Sequence, residues 1–249
     1  MADYPLIKSG LTEALGTFAI VVYSNLNIDL ISEAGQDDRS QFHERIIKVS
    51  SLSVFFVIMA MMWVGGKQIS AQLSPFLSFA LFLSGGLPLS NFVLNLLAQF
   101  LGTLCGFLFN QLISENIYFT KTSFKSLPMA LIEGWFWFMM ALVFLMTYSH
   151  KQAYRAVRGA VVPAVYAGCN LALAKVHMIY FNVFQFVLVD IAGNVRSRDE
   201  IWVTTKLLAF AAGLGGVLAA SLVFRGLLNV EYPRFDASQT SVPEKKGRA

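Results

Sequence analysis

Charge is what this sequence has least of. Only 14% of its 249 residues are Asp, Glu, Lys or Arg, against about a quarter in an ordinary soluble domain. With 56% hydrophobic residues and a mean hydropathy of +0.59, that shortage excludes a water-soluble globule and points to lipid as the solvent. The net charge of +4 is scattered over loops and the tail "RFDASQTSVPEKKGRA", so no nucleic-acid surface is expected. Cysteine is nearly absent. The two present, Cys105 and Cys169, exclude a disulfide framework, and each is expected as a small buried packing residue rather than a metal ligand. No Asn-x-Ser/Thr sequon occurs, so nothing marks a glycosylated loop. The start "MADYPLIKSG" lacks the cationic leader and small-residue cleavage site of a secretory signal, so the first apolar run is expected to be kept. No nucleophile–base pair or metal-ligand cluster stands out, and "GLGG" at Gly213–Gly216 lacks the lysine and strand of a phosphate loop; it reads as close helix packing. Neither an enzyme nor a cofactor is expected.

What is present is long apolar runs. A helix of about 20 apolar residues crosses a bilayer, and runs of that order stand at Leu6–Leu26, Ile46–Val64, Leu89–Ile113, Leu127–Tyr148, Val157–Phe181 and Val203–Leu228. Two shorter pieces, Pro75–Leu83 and Val183–Ile191, reach about half a membrane at about 1.5 Å per residue and cannot cross alone. Threading the long runs collects Lys8, His150, Lys151, Arg155, Arg158, Arg225, Arg234, Lys245, Lys246 and Arg248 on one side. The first loop, on the other side, holds Asp29, Glu33, Asp37, Asp38 and Glu44. The positive-inside rule then puts both termini in the cytosol. Lys67 and Lys175 are expected to snorkel to the surfaces. The aromatic cluster "GWFWFMM", Gly134–Met140, reads as lipid-facing or inter-helix packing, with Trp135 near an interface.

The two halves echo one another. "LTEALGTF", Leu11–Phe18, and "LIEGWFWF", Leu131–Phe138, each set one glutamate, Glu13 or Glu133, into an apolar helix. A polar break and a half-length piece follow in each half, at Ser74 and at Asn182. The expected division is a first repeat over 1–126 with a half-helix near 75–84, a second over 127–230 with a half-helix near 183–191, and a disordered cytosolic tail over 231–249. Three spans per half is odd, so the second copy is turned over. The expected fold class is therefore an all-α membrane protein, with six transmembrane helices and two re-entrant half-helices in an inverted three-helix repeat. The break "GGKQISAQLSPFLSF", Gly65–Phe79, has a physical reading. Non-helical backbone at membrane depth survives only where protein or a wet cavity satisfies it, and Ser74 as N-cap with Pro75 at N1 suits the start of a short helix there. Three functions fit: a passive channel, a proton-coupled transporter relaying through Glu13, Glu133 and His177, or a membrane protein with a closed pore.

Longer stretches carry a resemblance. "GKQISAQLSPFLSF" matches Gly-His-Ile-Ser-Gly-Ala-His-Leu-Asn-Pro-Ala-Val-Thr-Phe at Gly66, Ala71, Leu73, Pro75 and Phe79, with Ser78 for Thr. "EALGTF" from Glu13, "LLAQFLGTLCG" from Leu96, with Gln99 and Gly102, and the Gly-rich "GLGGVLAASLVF" from Gly213 match the first, third and sixth helices. The pattern resembles the aquaporin, or major intrinsic protein, family over about Leu6 to Leu228. The resemblance implies a channel for water or small neutral solutes in the lipid bilayer, a homotetramer with a pore in each protomer, and no cofactor. It also implies that Glu13 and Glu133 accept hydrogen bonds from the re-entrant backbone.

The departures are specific. The first signature triplet is Ser74-Pro75-Phe76 rather than Asn-Pro-Ala, and the second, Asn182-Val183-Phe184, keeps only its asparagine. A rival register reads the second triplet at Asn170-Leu171-Ala172. The Asn182 register leaves a full fifth span and carries the selectivity ring onto Val54, Asn170, Ile179 and Gln185, with Gln185 in place of an arginine. Degenerate triplets resemble the unorthodox, superaquaporin-like branch, many of whose members are associated with intracellular membranes. Val183 loses the preset φ of proline, which predicts a looser second loop. Phe76 and Phe184 either pack between helices or narrow the lumen.

Overall fold

The computed structural model describes residues 4–34, 39–64, 72–113, 126–149, 155–172, 180–185, 187–188 and 200–227, all of them helical or in short turns, with no strand among them. Six long helices occupy the six apolar runs: α1 (Tyr4–Ala34), α2 (Arg39–Val64), α4 (Leu89–Ile113), α5 (Ser126–Ser149), α6 (Arg155–Ala172) and α7 (Glu200–Leu222). The last continues as a π-helical turn, Val223–Leu227. The half-length helix α3 (Pro75–Leu83) lies between α2 and α4. Among the described residues Leu89–Ile113, Leu127–Ser149 and Lys206–Gly226 are long and apolar enough to cross a membrane, while Ile47–Trp63 and Gly159–Ala172 are shorter apolar helices.

Boundaries match the sequence reading closely at α4, and α3 ends at Leu83. The fifth run is corrected. The sequence places its end at Phe181, but Tyr180 is non-helical and Phe181 lies in a bend before a short helical stretch at 183–185; residues 173–179 lie outside the described residues. A residue that caps a helix takes non-helical backbone itself, and Asn182, in the bend before 183–185, does so here. Lys67, Lys175 and His177 lie outside the described residues, as do most of the expected second half-helix and the tail.

Burial on α4 is inverted relative to a helix of a soluble bundle. On α4 the buried stripe is Asn95, Ala98, Gln99, Gly102, Thr103, Gly106 and Asn110, spaced by three and four residues and so on one face. The opposite face presents Val93, Leu97, Leu101 and Leu108 outward. Leucine gains nothing by leaving lipid, whereas polar groups and close backbone contact do, so polar and small residues turn inward. Cys105 falls on this outward face and is exposed, correcting the expectation that it is buried; Cys169 is half-buried and both thiols are free. The aromatic cluster divides between its two expected settings: Trp135 is 66% exposed, while Phe136, Trp137 and Met140 are buried.

α1 packs along α4 and α5 along α7, with α2 touching α1 and α6. Both main pairs rest on a glycine where backbones cross. A Cβ on Gly102 would run into the carbonyl oxygen of Ala14, and one on Gly216 into that of Gly134. No side chain fits at either crossing. Within this frame α3 is the centre of the core, with Phe76, Leu77, Ala80 and Leu81 all buried.

Candidate functional site

The first polar break is held by Glu13. Its carboxyl oxygens accept the backbone N–H groups of Gln72 at 2.6 Å and Leu73 at 2.7 Å, and the Gln99 side-chain amide at 2.8 Å. The Glu13 side chain is fully buried, where unpaired acceptors cost several kcal/mol, on the order of 1–3 each. Leu73 has φ +55, a left-handed backbone that costs a leucine about 1–2 kcal/mol. These hydrogen bonds offset that strain, so a buried glutamate and a left-handed leucine belong to one device.

Ser74 follows in extended conformation, φ −146 and ψ 129, at the N-cap of α3, with Pro75 at its first turn. Its carbonyl accepts the N–H of Ser78 at 3.0 Å. The expected hydroxyl cap does not form: Ser74 Oγ makes no cap bond and is a buried oxygen with no partner among the described residues. Proline at N1 leaves the helix start intact, since the N–H it lacks is one that no intrahelical partner takes. Around this turn Gln99 Nε2 donates to Ser78 Oγ at 2.9 Å, Ser78 Oγ donates to Gln72 Oε1 at 2.6 Å, and Asn95 Nδ2 donates to the same oxygen at 3.2 Å.

The second break is held by α4 as well. Asn182 is fully buried, its Oδ1 accepting the N–H of Phe184 at 2.9 Å and its Nδ2 donating to Thr103 Oγ1 at 2.8 Å. Short helical backbone begins at Val183, whereas Asn170 sits inside α6, its Nδ2 donating to Tyr166 O at 3.4 Å. Thr103 is one turn from Gln99, so adjacent turns of one helix grip both polar breaks. The sequence reading missed Thr103, Gln72, Asn95 and Ser78. The signal was there as polar residues every fourth position, Asn95, Gln99 and Thr103, in an otherwise apolar helix.

The two breaks also border one cavity. Phe76, two positions after Ser74, and Val183, directly after Asn182, line a space of about 20 Å³ together with Glu133, Trp137, Tyr180, Ala209 and Phe210. That is room for about one water. Glu133, 6% exposed, stands beside the second segment. The Phe76 ring is set edge-on against Trp137, centroids 4.8 Å apart, and tilted against Phe210 at 5.4 Å. Gly213 clears the space it fills, since a Cβ there would meet Phe76 at 2.8 Å and Trp137 at 2.9 Å. Phe184 turns its ring edge-on to Phe100 of α4 at 5.5 Å. Both rings therefore have packing partners.

Of the expected selectivity ring, Val54 and Asn170 are fully buried and Ile179 lies outside the described residues. Gln185 donates its backbone N–H to Asn182 O at 3.0 Å, and its buried Nε2 has no partner among the described residues. No cluster of metal-ligating side chains occurs among the described residues.

Curated proteins give no match to the chain. The family model described as major intrinsic protein matches residues 1–187, a stretch that includes Glu13, the first break, α4 and Asn182. Polar breaks held at depth by a buried glutamate and one polar helix face, within apolar helices of membrane length, agree with that match, and the chain belongs to the major intrinsic protein family.

Proposed function

We propose that this protein is a passive channel for water and small neutral solutes such as glycerol and hydrogen peroxide, and that its two re-entrant segments form the constriction. Members of the major intrinsic protein family are membrane channels for water or small solutes; the choice of solute and the exclusion of protons belong to this proposal. The observation that carries it is the shared seat on α4. Gln99 reaches the first break through Glu13 and Thr103 holds Asn182 of the second, which supports two short helices aimed at a common centre. The pairing of α1 with α4 and of α5 with α7 supports the inverted repeat.

Each helix start carries roughly half a positive charge, which opposes cations yet admits neutral molecules that accept hydrogen bonds. Donors on both sides of the centre turn a passing water so that its neighbours cannot relay a proton. In this reading Ser74 Oγ and Asn182 Nδ2 face the permeant, Glu13 and Glu133 brace the loops, and Val54, Asn170, Ile179 and Gln185 ring the lumen. Gln185 supplies amide donors without fixed charge, which favours solutes larger than water. A homotetramer, cytosolic termini and membership of the unorthodox branch complete the proposal.

Purified protein in liposomes tests it. Osmotic water flow or solute entry that ignores a proton gradient supports the channel, and Asn182→Leu should abolish it. Gradient-dependent uptake would mean a transporter, absence of flux a closed pore, and an unaffected Asn182→Leu would remove that residue from the pathway.

A further inference from the structure

Thr103 determines which way the Asn182 amide faces. The Thr103 hydroxyl donates its one proton to the carbonyl of Gln99 at 2.6 Å. What it turns to Asn182 is therefore a lone pair, and only the NH₂ end of an amide can meet it, as Nδ2 does at 2.8 Å. The other end is decided independently. The Phe184 N–H requires an acceptor and finds Oδ1 at 2.9 Å. An amide offers two N–H donors and one carbonyl oxygen, so these contacts use the oxygen and one donor and leave one N–H. Thr103 and Asn182 are both fully buried, so reversing the amide would set donor against donor at the Phe184 N–H and acceptor against acceptor at Thr103 Oγ1.

We infer that Thr103 is a positioning residue for permeation, which clamps Asn182 so that a single N–H in one orientation is offered to the permeant. The permeation role rests on the channel reading above; the clamp itself does not. It answers the loss of proline at Val183. The backbone of the second segment is not preset by a ring, and the asparagine is tied instead to α4, the helix that also seats the first break through Gln99. The permeant class this suits is a small solute with an oxygen that accepts one directed hydrogen bond, and a solute too bulky to reorient in the lumen depends on that direction more than water does.

The test compares Thr103→Val, which keeps shape and removes the acceptor, with Thr103→Ser, which keeps the acceptor. Two readouts are taken on full-length protein in lipid: the side-chain amide resonances of Asn182 in ¹⁵N-labelled protein, assigned by their loss in Asn182→Leu, and the permeabilities of liposomes to glycerol and to water. Thr103→Val is expected to shift an Asn182 amide proton and to lower glycerol permeability about fivefold, the factor that one net hydrogen bond represents. Water permeability should fall less, and Thr103→Ser should restore both. Unmoved amide resonances overturn the clamp whatever the flux. Glycerol and water falling in parallel, with no rescue by serine, reduces Thr103 to a structural residue and overturns its role in permeation. If the unaltered protein carries no flux, the channel reading and the permeation role fall together while the resonances still decide the clamp.

Discussion

The Glu13 carboxyl group accepts the backbone N–H of Leu73 at 2.7 Å, across 60 positions of chain. Leu73 is the one non-glycine residue with positive φ among those described, and it is placed just before the helix that starts at Pro75. A helix can begin at this depth because its preceding turn is tied to a neighbouring helix, since lipid offers no partner for the freed N–H groups.

Glu13→Gln keeps the size of that side chain but replaces one acceptor oxygen with a donor. Either Gln72 N–H or Leu73 N–H then faces another N–H. The expected loss is about 1–3 kcal/mol, the cost of a buried unsatisfied group, together with reduced flux. Thermal unfolding in detergent measures it; an unchanged transition with unchanged flux would show that the carboxyl group does not hold the turn.

Gly102→Ala places a methyl against the backbone of Ala14, which cannot swing aside as a side chain can. Overpacking of this kind costs about 1–3 kcal/mol and should separate α1 from α4. Gly215→Ala is the control, because nothing lies within 4 Å of the added carbon. Comparable melting temperatures for the two variants would contradict the close crossing.

Phe76→Ala removes a ring packed on Trp137 and Phe210. Stability should fall by about 3–5 kcal/mol, as for other buried phenylalanines, while permeability per folded channel stays constant. A clear rise in permeability would instead identify the ring as an obstruction of the lumen.

Ser74→Ala should leave the melting temperature unchanged, because Ser74 Oγ makes no bond that the protein would lose. Permeability should nevertheless drop several-fold, the equivalent of about 1 kcal/mol for one lost hydrogen bond to the permeant. Full permeability in this variant removes the hydroxyl from the pathway.

The site was readable in parts. Glu13 stood out as an ionisable group within an apolar run, and Ser74-Pro75 as the start of a half-length helix. Thr103 did not, because a threonine in a membrane helix commonly bonds its own preceding turn, and this one does so as well, to Gln99 O. Only the arrival of Asn182, 79 positions away, brings it to the second break. Cys105 was misjudged for a related reason. Lipid and protein core are equally apolar, so the pattern that separates inside from outside in water is silent on which face of α4 a small residue occupies.

The order of elements was decided locally, by run length against bilayer thickness and by proline and polar residues at the breaks. Those features act within a few residues, and hydropathy is enough to read them. Which helix faces pair, that the Phe76 ring is held against Trp137 and Phe210, and that Thr103 meets Asn182 were decided by tertiary packing. In lipid those choices depend on backbone proximity and hydrogen-bond partners distant in sequence, and no local pattern encodes either.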